Sequence, residues 1–214
     1  MPTSPIKTLT FQDLSFERNQ HLLFSNVHGS LKAGEMLQIR GANGSGKSTL
    51  LRILAGFIAP LTGAIHWEEN PILANPENYQ QQLHYLGHHN GIKQNLTVYE
   101  NLKLSAALLS LSLQPQKAKD ILKQMGLTHK IHTQALHLSA GQLRRLSLAR
   151  LLLTTNSLWI LDEPTTALDA EGQHLFSNMV KQQLENNGII IFATHQDILL
   201  TPAMKTLTLG EQDA

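Results

Sequence analysis

At 214 residues, with 17 Lys and Arg against 16 Asp and Glu for a formal charge of +1, the chain suits one large α/β domain with an inserted lobe, and the charge balance argues against electrostatic binding to long nucleic acid while leaving room for a local basic patch. It contains no cysteine, which excludes disulfides, thiolate metal sites and thiol nucleophiles. No apolar run approaches the roughly 18 residues that cross a bilayer, and Met1 to Lys7 lacks the charged-then-apolar design of a secretory signal, so a cytoplasmic location is expected, with any membrane association through a partner.

Ile6 to Phe16 alternates apolar and polar residues, which predicts an edge strand, and Leu23 to Leu31 repeats the pattern. Lys32-Ala33-Gly34-Glu35 is a turn into an apolar strand that includes Leu37 and Ile39. Next comes Gly41-Ala42-Asn43-Gly44-Ser45-Gly46-Lys47-Ser48-Thr49, a full match to G-x-x-x-x-G-K-[S/T]. A helix carrying Leu50, Leu51, Ile53, Leu54 and Phe57 is predicted to leave it. The glycines let backbone N–H groups approach phosphate oxygens with no Cβ in the way, and the helix adds its positive end. Lys47 can then reach the β- and γ-phosphates while the Ser48 hydroxyl ligates Mg²⁺, so the chain is expected to bind a nucleoside triphosphate. Counting back from Gly34, Arg18 falls where an aromatic residue stacks on the base in many P-loop proteins, with Phe16 two residues earlier. An Arg guanidinium stacks on adenine as a flat cation; a solvated surface Arg is the other reading, and both stand.

Pro60 to Gly63 is a turn, and Ala64 to Trp67 and Leu83 to Leu86 are short strands, the second ending at Gly87-His88-His89-Asn90. Thr97-Val98-Tyr99-Glu100 is a capping box. The leucine-rich run after it, through Leu113, predicts a helix apolar on most of its surface. A further helix, Gln116 to Met125, ends at Gly126. Residues 88–153 are thus read as an all-helical insertion, with 1–87 and 154–214 forming the core. Leu138-Ser139-Ala140-Gly141-Gln142 opens a helix bearing Leu143, Leu146, Ala149 and Leu153. Leu158-Trp159-Ile160-Leu161 suits a central parallel strand, with Asp162 and Glu163 emerging at its C-terminal edge, where α/β sheets place their ligand chemistry. A helix from Ala170 to Asn186 is ended by Gly188, and Ile189 to Ala193 is another buried strand that delivers Thr194-His195. The tail after Gln196 is short and carries no legible chemistry.

These motifs in this order resemble the nucleotide-binding subunit of ATP-binding-cassette (ABC) transporters over essentially the whole chain. The matching residues are the Walker A loop Gly41 to Thr49, the signature Leu138 to Gln142, the Walker B strand Leu158 to Glu163, the D-loop Ala167-Leu168-Asp169 and the switch histidine His195. The resemblance implies an α/β P-loop NTPase of the ABC ATPase kind, with a RecA-like core sheet, an antiparallel N-terminal β-subdomain and an inserted α-helical lobe. It implies that Asp162 joins Ser48 around Mg²⁺, that Glu163 orients or deprotonates the attacking water, and that His195 contacts the γ-phosphate. It further implies a head-to-tail homodimer, with ATP clamped between one copy's Walker A loop and Ser139, Ala140, Gly141 and Gln142 of the other, and Asp169 across the interface.

Where most members carry a glutamine that contacts Mg²⁺, this chain has His88, a metal-site candidate whose neutral imidazole can accept from a metal-bound water but is not a straightforward magnesium ligand. The wording Gly87-His88-x-x-Gly91-Ile92-Lys93, with Arg144-Arg145 soon after the signature, is similar to the ATP-binding subunit of the bacterial haem exporter of cytochrome c maturation, the CcmA family. That likeness implies a multi-spanning permease partner at the cytoplasmic face of the inner membrane, docked along His88 to Asn101, and an output in haem handling, specifically the release of a haem-loaded chaperone. No direct haem binding is expected, because several of the 11 His residues are scattered singly in polar segments. The alternatives are an ABC ATPase subunit for another substrate and a soluble ABC ATPase outside transport, such as an Fe–S assembly factor. A small-molecule kinase is disfavoured by the signature and Glu163.

Overall fold

A computed structural model describes residues 7–195 and 204–210. In chain order its main elements are β1 (Thr8–Arg18), β2 (His21–Lys32), β3 (Met36–Gly41), α1 (Lys47–Leu54), β4 (Thr62–Trp67), β5 (Asn70–Pro71), α2 (Pro76–Gln81), β6 (Leu83–Leu86), α3 (Val98–Leu108), α4 (Pro115–Gln124), α5 (Ala140–Ala149), β7 (Leu158–Asp162), α6 (Ala170–Glu185), β8 (Ile189–Ala193) and β9 (Lys205–Leu209). They divide into two compact units. The first takes in the chain up to Tyr85, Asn156–Glu163 and the described residues from Val180 on; the second takes in Leu86–Thr155 and Pro164–Met179. Pro164–Met179 lies outside the 88–153 insertion expected from sequence; it joins the helical unit through contacts of its own, such as Arg145 on Glu171.

The first unit holds two sheets. One is antiparallel, in the order β2-β1-β4-β5. β1 was expected at an edge and is instead interior: Leu9 pairs with Leu31 on one side and with Trp67 on the other. The reason is β4, which returns after α1 to cover β1, a long-range pairing that local alternation does not announce. Ile6, the first residue of the expected strand, lies outside the described residues.

The other sheet runs β6-β7-β8-β3-β9. All ten residues of β7 and β8 are buried, as the continuous apolar runs dictate for parallel strands covered on both faces. Their register pairs Leu158 with Ile189 and Asp162 with Ala193, and β8 in turn sets Ile39 opposite Ala193. The core between the sheets gathers Leu9, Phe11, Leu37, Ile39, Leu50, Ile53, Ile160 and Ile191 among others, each burial contributing about 1.5–3 kcal/mol. β9 is a strand the sequence reading omitted. Lys-Thr-Leu-Thr-Leu alternates, and it pairs in parallel with β3 from Leu37↔Lys205 to Gly41↔Leu209.

Two helix ends also differ from expectation. α1 stops at Leu54, because Gly56 turns the chain at φ +73°. Phe57 therefore lies outside the helix, half-exposed, with its ring edge-on to Tyr85 at 5.0 Å. At the far end of α6 it is Asn187, at φ +60°, that takes the left-handed turn. Gly188 is needed for a different reason: a Cβ there would fall 2.3 Å from the Gln183 side chain.

In the second unit α3, α4 and α5 pack on one another around Leu102, Leu122 and Leu146. The expected capping box is present: the Thr97 hydroxyl accepts from the Glu100 N–H at 3.2 Å, and the Thr97 N–H donates to the Glu100 carboxylate at 2.8 Å. α3 is not apolar all round and does not run on through the leucines. It buries Val98, Leu102 and Ala106, ends at Leu108 (78% exposed), and Ser110 at φ +57° breaks the chain before Leu111 and Leu113. Gly126, at φ +65°, closes α4 as expected.

Candidate nucleotide site

Three neighbouring parallel strands, β7, β8 and β3, end at one edge of the core sheet and deliver Asp162, Ala193 and Gly41 there. The loop after β3 needs glycine twice over. Gly41 has φ +147°, and a Cβ on it would fall 2.5 Å from Ser45 Oγ and 2.6 Å from the Leu209 carbonyl of β9. Gly46, at φ +95°, is the N-cap of α1, and it offers no side chain to the first helical N–H groups. No acidic residue sits in that first turn. The helix thus presents bare amide donors and an uncompensated positive end, which is an anion site by construction.

Lys47 is buried at the start of α1, and its ammonium donates to the Gly41 carbonyl at 2.7 Å and the Ala42 carbonyl at 2.9 Å. The side chain therefore lies across its own loop, where phosphate oxygens can exchange for the two carbonyls. Ala42, Asn43, Gly44 and Ser48 are exposed, with Ser45, Gly46 and Thr49 intermediate.

Asp162 is 4% exposed at the end of β7. Glu163 does not continue the strand, as an alternation of side chains would have it. Its backbone turns left-handed at φ +49°, and its N–H donates to the Ala193 carbonyl at 2.9 Å. A non-glycine residue in that conformation costs on the order of 1–3 kcal/mol, a strain held by its surroundings. The turn brings Glu163 Oε1 to 3.1 Å from His195 Nδ1, the carboxylate mostly buried (14% exposed) and the imidazole open to solvent (59%). The carboxylate of Asp162 is felt one strand away: burial raises the pKa of the Tyr85 hydroxyl, a bond with Arg52 opposes the rise, and the Asp162 charge adds to it.

In the helical unit Ser139 is the N-cap of α5. Its hydroxyl accepts from the Gln142 N–H at 3.2 Å, and the Ser139 N–H donates to Gln142 Oε1 at 3.0 Å. Gln142 thus completes a second capping box, missed from sequence although S-x-x-Q spells it out. A Cβ on Gly141 would fall 2.9 Å from the Ala167 carbonyl, so the signature glycine is what lets the D-loop lie against α5. Asp169 Oδ1 accepts from the Gly172 N–H at 2.9 Å, and its Oδ2 lies 3.9 Å from the buried Arg145, which also meets Glu171 at 3.1 Å. One desolvated cation shared by two carboxylates fixes the D-loop on the signature helix.

Two sequence candidates stand apart from these contacts. Arg18 is exposed at the end of β1, opposite His21 across the hairpin, while Phe16 stacks on Phe24 with centroids 6.4 Å apart. His88 is exposed in the second unit, its ring tilted against His89 at 5.7 Å. Among the described residues no cluster of three or more His, Asp or Glu could hold a metal by itself. The hard oxygen donors Ser48 and Asp162 fit an ion such as Mg²⁺, which keeps several waters and binds through one or two protein oxygens plus substrate phosphates.

Residues 24–166 match the family described as ABC transporter, and strand order, P-loop and signature helix together define an ABC ATPase cassette. Two solved ABC transporter structures share the fold. An ATP-binding cassette in its ADP conformation aligns at a TM-score of 0.78 and 21% identity, over 95% of this chain and 87% of that one. An ATP-binding subunit aligns at 0.75 and 26%, over 87% and 79%. Among curated proteins, the cytochrome c biogenesis ATP-binding export protein CcmA of Nitrosomonas europaea is 42% identical, covering 92% of this chain and 93% of the relative. Its namesake in Vibrio vulnificus is 38% identical over 95% and 100%. The chain belongs to the CcmA family of ABC transporter ATP-binding proteins, and its activity is ATP hydrolysis.

Proposed function

We propose that the chain is the ATP-hydrolysing motor of an export system serving cytochrome c biogenesis, working as a homodimer with a multi-spanning permease at the cytoplasmic face of the inner membrane. The observation that carries the motor reading is a pair of helix N-termini with no acidic residue in the first turn, α1 behind a glycine cap and α5 behind the Ser139 cap. They sit in different units of one chain. Two copies arranged head to tail supply one of each to a single triphosphate, and the cleft closes only while the γ-phosphate is there to be shared. The names of the relatives support the cytochrome c assignment. No helix among the described residues is long and apolar enough to cross a membrane, which suits a motor that reaches the bilayer through its permease.

In the proposed cycle Lys47 leaves the Gly41 and Ala42 carbonyls for the β- and γ-phosphates. Ser48 and Asp162 would hold Mg²⁺, which when bound supplies positive charge to the phosphate oxygens. Glu163 takes the proton of the attacking water, or orients it, with His195 fixing the Oε1 end of the carboxylate. Ser139 and the α5 N-terminus of the second copy grip the γ-phosphate. Hydrolysis then removes the shared ligand and lets the copies part. His88 is not assigned to the metal, Arg18 is the candidate stacking partner of adenine, and the output is release of a haem-loaded chaperone, with no haem held by this chain.

Affinity capture of the chain from detergent-extracted membranes tests the partner. A stoichiometric multi-spanning protein in the eluate is expected. Recovery of the chain in soluble complexes alone would overturn the transport reading in favour of a soluble ABC ATPase.

A further inference from the structure

Two loops that end next to functional residues are tied to one buried side chain. Arg144, on α5, is 3% exposed. Its Nε donates to the Pro164 carbonyl at 3.1 Å, and its Nη1 donates to Asn90 Oδ1 at 3.2 Å. The Asn90 carbonyl is itself held by α5 and its extension, accepting from Ser147 Oγ at 2.9 Å and Arg150 Nη1 at 3.2 Å. Gly91 sits at φ +64°, a left-handed conformation that favours glycine, and a Cβ there would fall 3.0 Å from that same Arg150 nitrogen. Asn90 follows His88-His89 directly in the chain, and Pro164 follows Glu163.

Burying a guanidinium is costly before its bonds are counted, and apolar residues of similar volume often serve stability as well or better. What a guanidinium adds is geometry: a rigid fork of donors that holds two acceptors at a fixed separation, which a flexible lysine does not reproduce. We propose that Arg144 is a positioning residue for ATP turnover, spacing the Asn90 loop and Pro164 on the signature helix so that a displacement of residues 88–91 is passed to the peptide that follows Glu163. This rests on Glu163 acting on the attacking water.

The test is steady-state ATPase kinetics of the full chain carrying Asn90→Ala, Asn90→Asp, Arg144→Gln or the double substitution Asn90→Ala/Arg144→Gln. Asn90→Ala removes the side-chain acceptor and leaves the backbone carbonyl bonds to Ser147 and Arg150. It is expected to lower kcat about tenfold while KM for ATP stays within about twofold, since small misplacements near the chemistry act on turnover rather than binding. Asn90→Asp, which keeps an oxygen toward Arg144, is expected to recover most of the loss, and the double variant to be no slower than Arg144→Gln. An unchanged kcat in Asn90→Ala, a rise in KM alone, or fully additive losses would overturn the proposal. Should Arg144→Gln fail to fold, Asn90→Ala and Asn90→Asp decide by themselves. A Glu163→Gln control that still turned over ATP would instead refute the underlying assignment of the carboxylate.

Discussion

Replacing Ser139 with alanine separates a cap from a ligand. As a cap, the hydroxyl satisfies one N–H, that of Gln142 at 3.2 Å, while the reciprocal bond from the Ser139 N–H to Gln142 Oε1 survives the substitution. Loss of such a cap costs about 1 kcal/mol, which for a chain of this length lowers Tm by about 2–4 °C. With a typical stability of roughly 5–15 kcal/mol, nearly every molecule stays folded at assay temperature. As a phosphate ligand, Ser139 is one preorganised donor at developing charge, and removing one such donor costs about 10²–10³ in kcat. Stability loss cannot produce a rate loss of that size. ATPase assays at saturating nucleotide, run beside thermal melts on Ser139→Ala and Ser139→Thr, are expected to show the small Tm drop with a collapse of turnover for alanine and substantial retention for threonine. The same Tm drop with kcat unchanged would reduce Ser139 to a cap and refute its part in the site.

Lys47→Ala is expected to abolish nucleotide binding or turnover, measured by equilibrium binding and phosphate release, because no ammonium then reaches the β- and γ-phosphates across the loop. Glu163→Gln is expected to bind ATP and not hydrolyse it; turnover at the unsubstituted rate would contradict the assignment. The Lys205 ammonium meets Glu35 Oε2 at 2.6 Å and the Ser30 carbonyl at 2.9 Å, tying β9 to the β2 side of the first unit. Burial raises the Glu35 pKa, but the bonds from Lys205 and the Lys32 N–H outweigh it, so the group titrates below its ordinary 4.5. A lowered folded-state pKa stabilises above the unfolded value and is lost as pH falls through the folded one. Lys205→Ala should therefore cost up to about 1 kcal/mol at pH 7, for a half-exposed pair. The Tm gap to the unsubstituted chain should narrow well below pH 4.5 to what the Ser30 carbonyl bond alone supports, and a gap that persists unchanged at pH 3 would show the tie is not ionic.

The P-loop, the Walker B strand and β8 were legible because their signals are local: glycines at fixed spacing, and apolar runs long enough for a buried strand and too short for a helix. The ends of α1 and α3 were not, because Gly56 and Ser110 stop them by adopting positive φ, whereas the apolar residues run on to Phe57 and Leu113. Pairing across the chain was the other blind spot. β1 gained a second neighbour from β4, and β9 came from a tail in which no chemistry was legible. Glu163 looked like the next residue of a strand, and its left-handed backbone follows from a bond to Ala193, thirty residues on. The burial of Arg144 and Arg145 was equally hidden, since their partners Asn90, Pro164 and Glu171 are distant in sequence.

Whether one nucleotide is held by two copies is decided by the mass of the Glu163→Gln chain in solution, by sedimentation, with and without ATP. Two chains per particle with ATP and one without are expected, and a second substitution, Ser139→Ala, should keep the particle at one chain even when ATP is bound. A nucleotide-loaded single chain, or a dimer indifferent to ATP and to Ser139, would contradict the shared site.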